Sequence, residues 1–186
     1  MLPRYTLLLL NGLLGSAVVG QETVAVLFDF AGPNAASEWQ IVNDGVMGGR
    51  STSQASIVNG GDLRFTGNLS LANNGGFASV RSRPKTLGLQ RGQTLVLRAL
   101  GDGRRYTFNL YTPNRRTAYS YQMKFETVPG QWAEVRLPLS QFVAHSFGRP
   151  LPQDRLEPTR VQSVGVLLGD KRAGPFEILI DFIGIQ

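Results

Sequence analysis

The densest candidate for chemistry is Asn43-Asp44-Gly45-Val46-Met47-Gly48-Gly49-Arg50-Ser51-Thr52, which combines three glycines, a basic residue and two hydroxyls. Glycine-rich loops ending in a cation and a hydroxyl cradle phosphates, because bare backbone N–H groups can close around an anion. The spacing argues against that chemistry here. The phosphate-loop pattern G-x-x-x-x-G-K-[ST] leads into a helix and needs a glycine five positions before its second one, but five before Gly48 stands Asn43; counted from Gly49 instead, Arg50 takes the place of the lysine. The flanking residues alternate with strand period instead. The stretch therefore reads as a tight turn, with Asn43-Asp44-Gly45 tolerating positive φ and Gly48 and Gly49 allowing close backbone approach. On this reading Gly48→Val costs about 1–3 kcal/mol of backbone strain.

Three other segments carry polar side chains in patterned positions. Gly101-Asp102-Gly103-Arg104-Arg105-Tyr106 suits a primed hairpin turn at Asp-Gly, and its arginines suit either an ion-pair network or an anionic ligand. Alternation sets Arg105 opposite the Tyr106-Phe108-Leu110 face, so the expectation is a buried pair between Arg105 and Asp102, with Arg104 free in the turn to meet an acidic partner. Asn73-Asn74-Gly75-Gly76-Phe77-Ala78-Ser79-Val80-Arg81 is a turn running into a strand, whose amides suit sugar hydroxyls or loop closure. Trp39 and Trp132 suit either a stacking platform or the core, and the core is the expectation.

Catalytic groups are sparse. Asp29, Asp44, Asp102 and Asp181 are not spaced so that one acts as acid and another as base. His145 is the single histidine, flanked by Ala144 and Ser146, and reads as a loop residue. Without cysteine there are no disulfides, thiolate metal sites or cysteine nucleophiles. Neither a nucleotide fingerprint nor a metal set is present, so no cofactor and no enzymatic activity are expected.

The elements that must position these residues are strands. In Ala118–Glu126, Tyr119, Tyr121, Met123 and Phe125 alternate with Ser120, Gln122, Lys124 and Glu126, which predicts a strand with one buried face. Arg105–Tyr111 repeats the pattern, and Phe176–Ile183, apolar on both faces apart from Glu177 and Asp181, reads as a central strand. Further strands are predicted at Val24–Phe30, Ser53–Val58, Asp62–Thr66, Phe77–Arg81, Thr94–Leu100, Trp132–Pro138 and Val161–Leu168. Turn signals such as Asn59-Gly60-Gly61, Pro113-Asn114 and Pro129-Gly130 separate them. Gly148–Pro158, with three prolines, reads as a surface loop. About ten short strands at this spacing predict an all-β, antiparallel two-sheet sandwich or jelly roll.

Composition agrees with one domain over residues 24–186. The chain has 186 residues, 42% hydrophobic and 17% charged, enough to bury one substantial core. A net charge of +6 favours anionic partners or simply solubility. The arginines form no run, and no nucleic-acid partner is expected. At the N-terminus, Arg4, the apolar stretch Leu7–Leu14 and small residues at Ala17 and Gly20 read as an export signal over residues 1–20, cleaved after Ala17 or Gly20. It is too short and interrupted for a transmembrane anchor.

Taken together, Trp39 with Asn43–Ser51, Asn73–Arg81, Gly101–Tyr106 and Ala173-Gly174-Pro175-Phe176 resemble the complex I intermediate-associated protein 30 family, also called the NADH:ubiquinone oxidoreductase intermediate-associated protein domain. Order and spacing match from Phe28 to Ile185. The resemblance implies a galactose-binding-like jelly roll, similar to some carbohydrate-binding modules. It also implies a mitochondrial setting for family members acting as assembly chaperones that hold intermediates of respiratory complex I without catalysing a reaction. The opening loop then becomes a rigid turn at a binding rim. Trp39, Asn43, Asp44, Arg50, Asn73, Asn74, Arg81, Asp102, Arg104, Arg105 and Tyr106 are the candidate contacts. A protein partner is the first expectation and a carbohydrate the alternative.

Overall fold

The structure, a computed structural model, describes residues 23–186 apart from 115 and 117. The proposed signal at residues 1–20 lies outside the described residues. The strands are β1 (Ala25–Phe28), β2 (Trp39–Ile41), β3 (Thr52–Val58), β4 (Asp62–Leu69), β5 (Ala78–Ser82), β6 (Thr94–Gly101) and β7 (Arg105–Tyr111). They continue with β8 (Tyr119–Glu126), β9 (Trp132–Pro138), β10 (Val143–Ser146), β11 (Arg149–Pro150), β12 (Ser163–Leu168) and β13 (Gly174–Ile185). Short 3-10 turns are the helical segments among the described residues, and none is long and apolar enough to cross a membrane.

Two antiparallel sheets face each other. One runs β3-β4-β13-β6-β9, with β1 also paired to β13, and the other runs β11-β10-β8-β7-β12-β5-β2. This is the all-β jelly-roll sandwich that the alternation predicts. β13 is central: β4 pairs along Gly174–Ile180, and β1 takes over along Ile183–Ile185. The central position agrees with the expectation, but its faces differ: Phe176, Ile178 and Ile180 are buried, while Glu177, Leu179 and Asp181 on the outer face are half-buried. The inward sides of the two sheets meet in one core, where Leu63, Phe65, Leu97, Phe108, Val166, Ile178 and Ile180 are fully buried. Tyr119, Tyr121 and Phe125 are buried and Met123 is half-buried, as expected for one face of β8.

Several expectations need correction. β2, β10 and β11 were not predicted; strands of two to four residues are too short for alternation to register. The prolines of Gly148–Pro158 do not exclude β11 from that segment, because Pro150 sits on an edge strand where no partner needs its missing N–H. The larger correction concerns Asp102-Gly103. It is not a hairpin turn, because β6 belongs to the six-stranded sheet and β7 to the seven-stranded one. The segment is a passage between sheets.

The same is true of the other motif segments. β2 to β3, β4 to β5, β6 to β7, β8 to β9 and β12 to β13 each change sheet. The register places them together: Thr52 pairs with Asn68, Gly174 with Leu69, Ile178 with Gly101, Leu168 with both Ala78 and Tyr106, and Arg105 with Glu126. All five passages lie at one end of the sandwich.

Candidate functional site

The crossover end is held by two polar knots. The first is centred on Asp44, which has no exposed surface. Its Oδ1 accepts the Ser51 backbone N–H at 2.9 Å, and its Oδ2 accepts the Ser51 hydroxyl at 2.6 Å, the Gly76 N–H at 2.7 Å and the Phe77 N–H at 3.3 Å. One carboxylate therefore joins the β2–β3 and β4–β5 passages. Burial alone pushes the Asp44 carboxyl up, but the bonds from Ser51, Gly76 and Phe77 outweigh it and hold the group below the usual carboxylate range. The glycine-rich shape of the loop is thus explained by an internal anion: the backbone does cradle a carboxylate, and the carboxylate is its own.

The glycines divide two tasks around this knot. Gly48 ends the Asp44–Met47 3-10 turn at φ 87°, and a Cβ there would meet nothing within 4 Å. Positive φ in the opening turn therefore falls on Gly48 and not on Asn43-Asp44-Gly45. Gly49 is crowded: an added Cβ would lie 2.3 Å from Asp44 Cγ, and one on Gly75 would lie 2.5 Å from Oδ2. We expect Gly48→Ala to cost about 1–2 kcal/mol through strain alone. Gly49→Ala should cost about 2–3 kcal/mol, since it displaces the carboxylate that four donors share. Denaturant melts check the order, and a Gly48 variant less stable than the Gly49 variant would overturn it.

The second knot is Arg104. It is 6% exposed, and its Nε and Nη2 donate to Asp170 at 3.0 and 2.6 Å. Further donations reach the carbonyls of Arg172, Gly174 and Pro175. The Asp170 pairing raises the guanidinium's affinity for its proton. Burial pushes the Asp170 carboxyl up, but the Arg104 hydrogen bonds more than offset this and hold it low. Asp102 supports the same passage: it accepts the backbone N–H groups of Arg104 at 3.0 Å and Glu177 at 2.9 Å, and the Tyr106 hydroxyl at 3.1 Å. Thr127, in the β8–β9 passage, donates to the Arg104 carbonyl at 2.9 Å and accepts the Gly103 N–H at 3.0 Å.

This arrangement reverses the expected division between the arginines. Arg104 is the buried ion-pair partner, and it pairs with Asp170. Arg105 is exposed on the sheet surface and pairs with Glu126. Alternation does set Arg105 opposite Tyr106, but at this position that side of the strand is the solvent side. Burial pushes the Tyr106 hydroxyl well up, reinforced by Asp102.

The remaining candidates separate. Asn43 accepts the Ser53 hydroxyl at 2.7 Å, and Asn73 donates to the Gly48 carbonyl at 3.2 Å. Asn73 and Asn74 both take φ 57°, a region that asparagine tolerates. Arg50 is exposed beside them. Trp39 lies apart, 6% exposed and packed on Phe28 and Phe30 with ring centroids 5.3 and 5.5 Å away, so it is core and offers no stacking platform. Trp132 is 36% exposed, with Arg98 over its ring at 4.7 Å. Arg81 also lies apart, on the outer face of the seven-stranded sheet over the Tyr111 ring at 4.7 Å. Burial pushes the Tyr111 hydroxyl up to about 12, against the pull of Arg81.

The carboxylates are engaged separately: Asp29 by the Ala31 N–H, Asp44 and Asp102 as described, and Asp181 by Arg98. His145 lies on β10, its Nδ1 2.9 Å from the Val143 carbonyl. Among the described residues no group of three or more metal-ligating side chains converges.

What the knots turn outward is a rim of side chains that no motif reading singled out. Val46, Met47 and Leu71 are 73%, 55% and 46% exposed. Lys124, Lys171 and Arg172 are exposed beside the Arg104 knot. Apolar residues inside a glycine-rich turn were the available signal for the first group. For Asp170, the signal was an acid in a Gly-Asp-Lys-Arg turn just ahead of Ala173–Phe176.

The fold is a two-sheet antiparallel β-sandwich that gathers its sheet-changing passages at one end. A family 11 carbohydrate-binding module from Clostridium thermocellum, solved with a mixed-linked tetrasaccharide, superposes with a TM-score of 0.63 over 87% of this chain and 94% of that one, at 13% identity. The likeness is one of fold. Residues 28–180 match the family described as Complex I intermediate-associated protein 30, and the chain belongs to that family. Similar proteins are the "Complex I intermediate-associated protein 30, mitochondrial" of Drosophila melanogaster, 27% identical over 87% of this chain, and that of Mus musculus, 28% identical over 88%. The chain spans 62% and 56% of those relatives' lengths.

Proposed function

We propose that the chain is a non-catalytic assembly chaperone that holds an intermediate of a protein complex, as the naming of its relatives suggests, and that the crossover end is its binding rim. The observation that carries this is the fate of the motif side chains. Asp44, Asp102 and Arg104 spend their hydrogen bonds on the chain's own loops, which stiffens the rim and leaves exposed apolar and cationic side chains to meet a partner. Stiff loops lose little entropy on docking, and exposed Met and Val supply contact area.

A carbohydrate is the second reading, favoured by one observation. Gln40, Arg81 and Gln122 stand on one register line across the seven-stranded sheet, with Gly165 and the buried Asn109 between them, and these three partly or fully exposed side chains carry the amide and guanidinium groups that sugar recognition can use. Export through Met1–Gly20 completes the proposal and rests on the charge and apolar run of that segment.

Affinity purification of the tagged chain from its native cell tests all three parts. Enrichment of membrane-complex subunits is expected, from a chain beginning near Val18 or Gln21. Retention on a polysaccharide column without any protein partner overturns the chaperone reading in favour of the sugar. A chain beginning at Met1 overturns export.

A further inference from the structure

At the seven-stranded sheet's end of the rim lies a cleft of about 380 Å³. Its floor is small, with Gly103, Thr107 and Gly169, and Arg105, Lys124, Lys171 and Arg172 surround it alongside Glu126 and Asp170. The two carboxylates are already neutralised: Glu126 pairs with Arg105, and both Asp170 oxygens are occupied by Arg104. Lys124 and Lys171 have no ion-pair partner among the described residues. The excess charge around the cleft is therefore positive and uncommitted.

The cations are also placed by structure. Lys124 sits on β8 opposite Thr107 of β7. Lys171 takes φ 62°, an unfavourable region for lysine, in the turn that Arg104 ties down through Asp170 and the Arg172 carbonyl. The buried arginine fixes the loop that presents the exposed ones.

We infer that this cleft receives an acidic segment of the partner protein, its carboxylates meeting Lys124, Lys171 and Arg172. The inference rests on the chaperone reading and names the chemistry of the partner at that rim. A cleft of about 380 Å³ has room for individual carboxylate side chains. Attraction between exposed charges of this kind acts mainly on association and weakens with salt.

The test uses the full chain and a fluorescein-labelled ten-residue peptide alternating Glu and Ser, followed by anisotropy. The peptide should bind at low salt, release as salt rises and outbind the same peptide with Gln for Glu. Lys124→Gln with Lys171→Gln should weaken it about fivefold or more, while Arg149→Gln with Arg155→Gln, removing equal charge elsewhere, should weaken it less than about twofold. All four residues are exposed, and melts confirm that both pairs fold. Equal losses from the two pairs, or no binding, overturn the inference. So does lysine-dependent binding of a labelled ten-nucleotide single strand or of phosphatidylserine vesicles when the Glu peptide does not bind. Native subunits that still co-purify with a chain that ignores the peptide would sink this inference alone. Peptide binding without any native protein partner would instead sink the chaperone reading.

Discussion

Asp44→Ala is expected to lower unfolding free energy by about 3–4 kcal/mol, because it takes the acceptor from three backbone N–H groups, each worth about 1–3 kcal/mol when left unpaired, and leaves the Ser51 hydroxyl only the Ser70 carbonyl at 3.3 Å. Asp44 has no exposed surface, and its donors come from two different sheet passages. Asp44→Asn should cost less, since an amide oxygen at the Oδ2 position still serves Gly76, Phe77 and the Ser51 hydroxyl, while its NH₂ meets the Ser51 N–H as donor against donor. The loss is a large share of the roughly 5–15 kcal/mol that holds a domain folded.

The same carboxylate sets an acid limit. The folded-state pKa values of Asp44 and Asp170 are both held below the ordinary carboxylate range. Their contribution to stability is therefore complete above the unfolded value, about 3.9, and drains away as pH falls from there through the depressed folded values. Stability should be level from neutral pH down to about 5 and then fall, with the fall shallower in Asp44→Asn. An acid limb as steep in that variant as in the wild type would remove Asp44 from this account.

Arg104→Ala should cost about 3–5 kcal/mol, the penalty of stranding a buried carboxylate by removing its partner. Both side chains of the Arg104–Asp170 pair are 7% exposed, so solvent screening does little to soften the loss. Three carbonyls at the β12–β13 passage lose a donor as well. Arg105→Ala should stay within about 0.5 kcal/mol, because Arg105 and Glu126 are 57% and 64% exposed. Removing both members of the buried pair should recover part of the cost, as Asp170 no longer needs a counter-ion. Thermal and denaturant melts decide it, and Arg105→Ala melting below Arg104→Ala would contradict the assignment.

Much of the sandwich is legible in the chain before it folds. Side-chain direction along a strand is a local property, so the alternations at Arg105–Tyr111 and Trp132–Pro138 mark β7 and β9 residue for residue. Positive φ at Asn59 and Gly60 follows from the turn signal between β3 and β4. The family segments are equally local, and their order identifies the family without any coordinates. Glycine spacing also indicated close approach at Gly49, though not what approaches.

Only the tertiary structure decided which sheet each strand joins and which side of a strand meets water. Asp102-Gly103 has the composition of a hairpin turn, yet β6 and β7 part to different sheets, because the hydrogen-bonding neighbours of β6 are β13 and β9. Alternation set Arg105 opposite Tyr106 but carried no information on whether that opposite side is covered. The partners of the two buried charges lie far along the chain: Gly76 is 32 residues from Asp44, and Asp170 is 66 from Arg104. Periodicity reaches only over neighbouring residues, whereas a buried charge is satisfied by whatever the closed fold brings within about 3 Å of it.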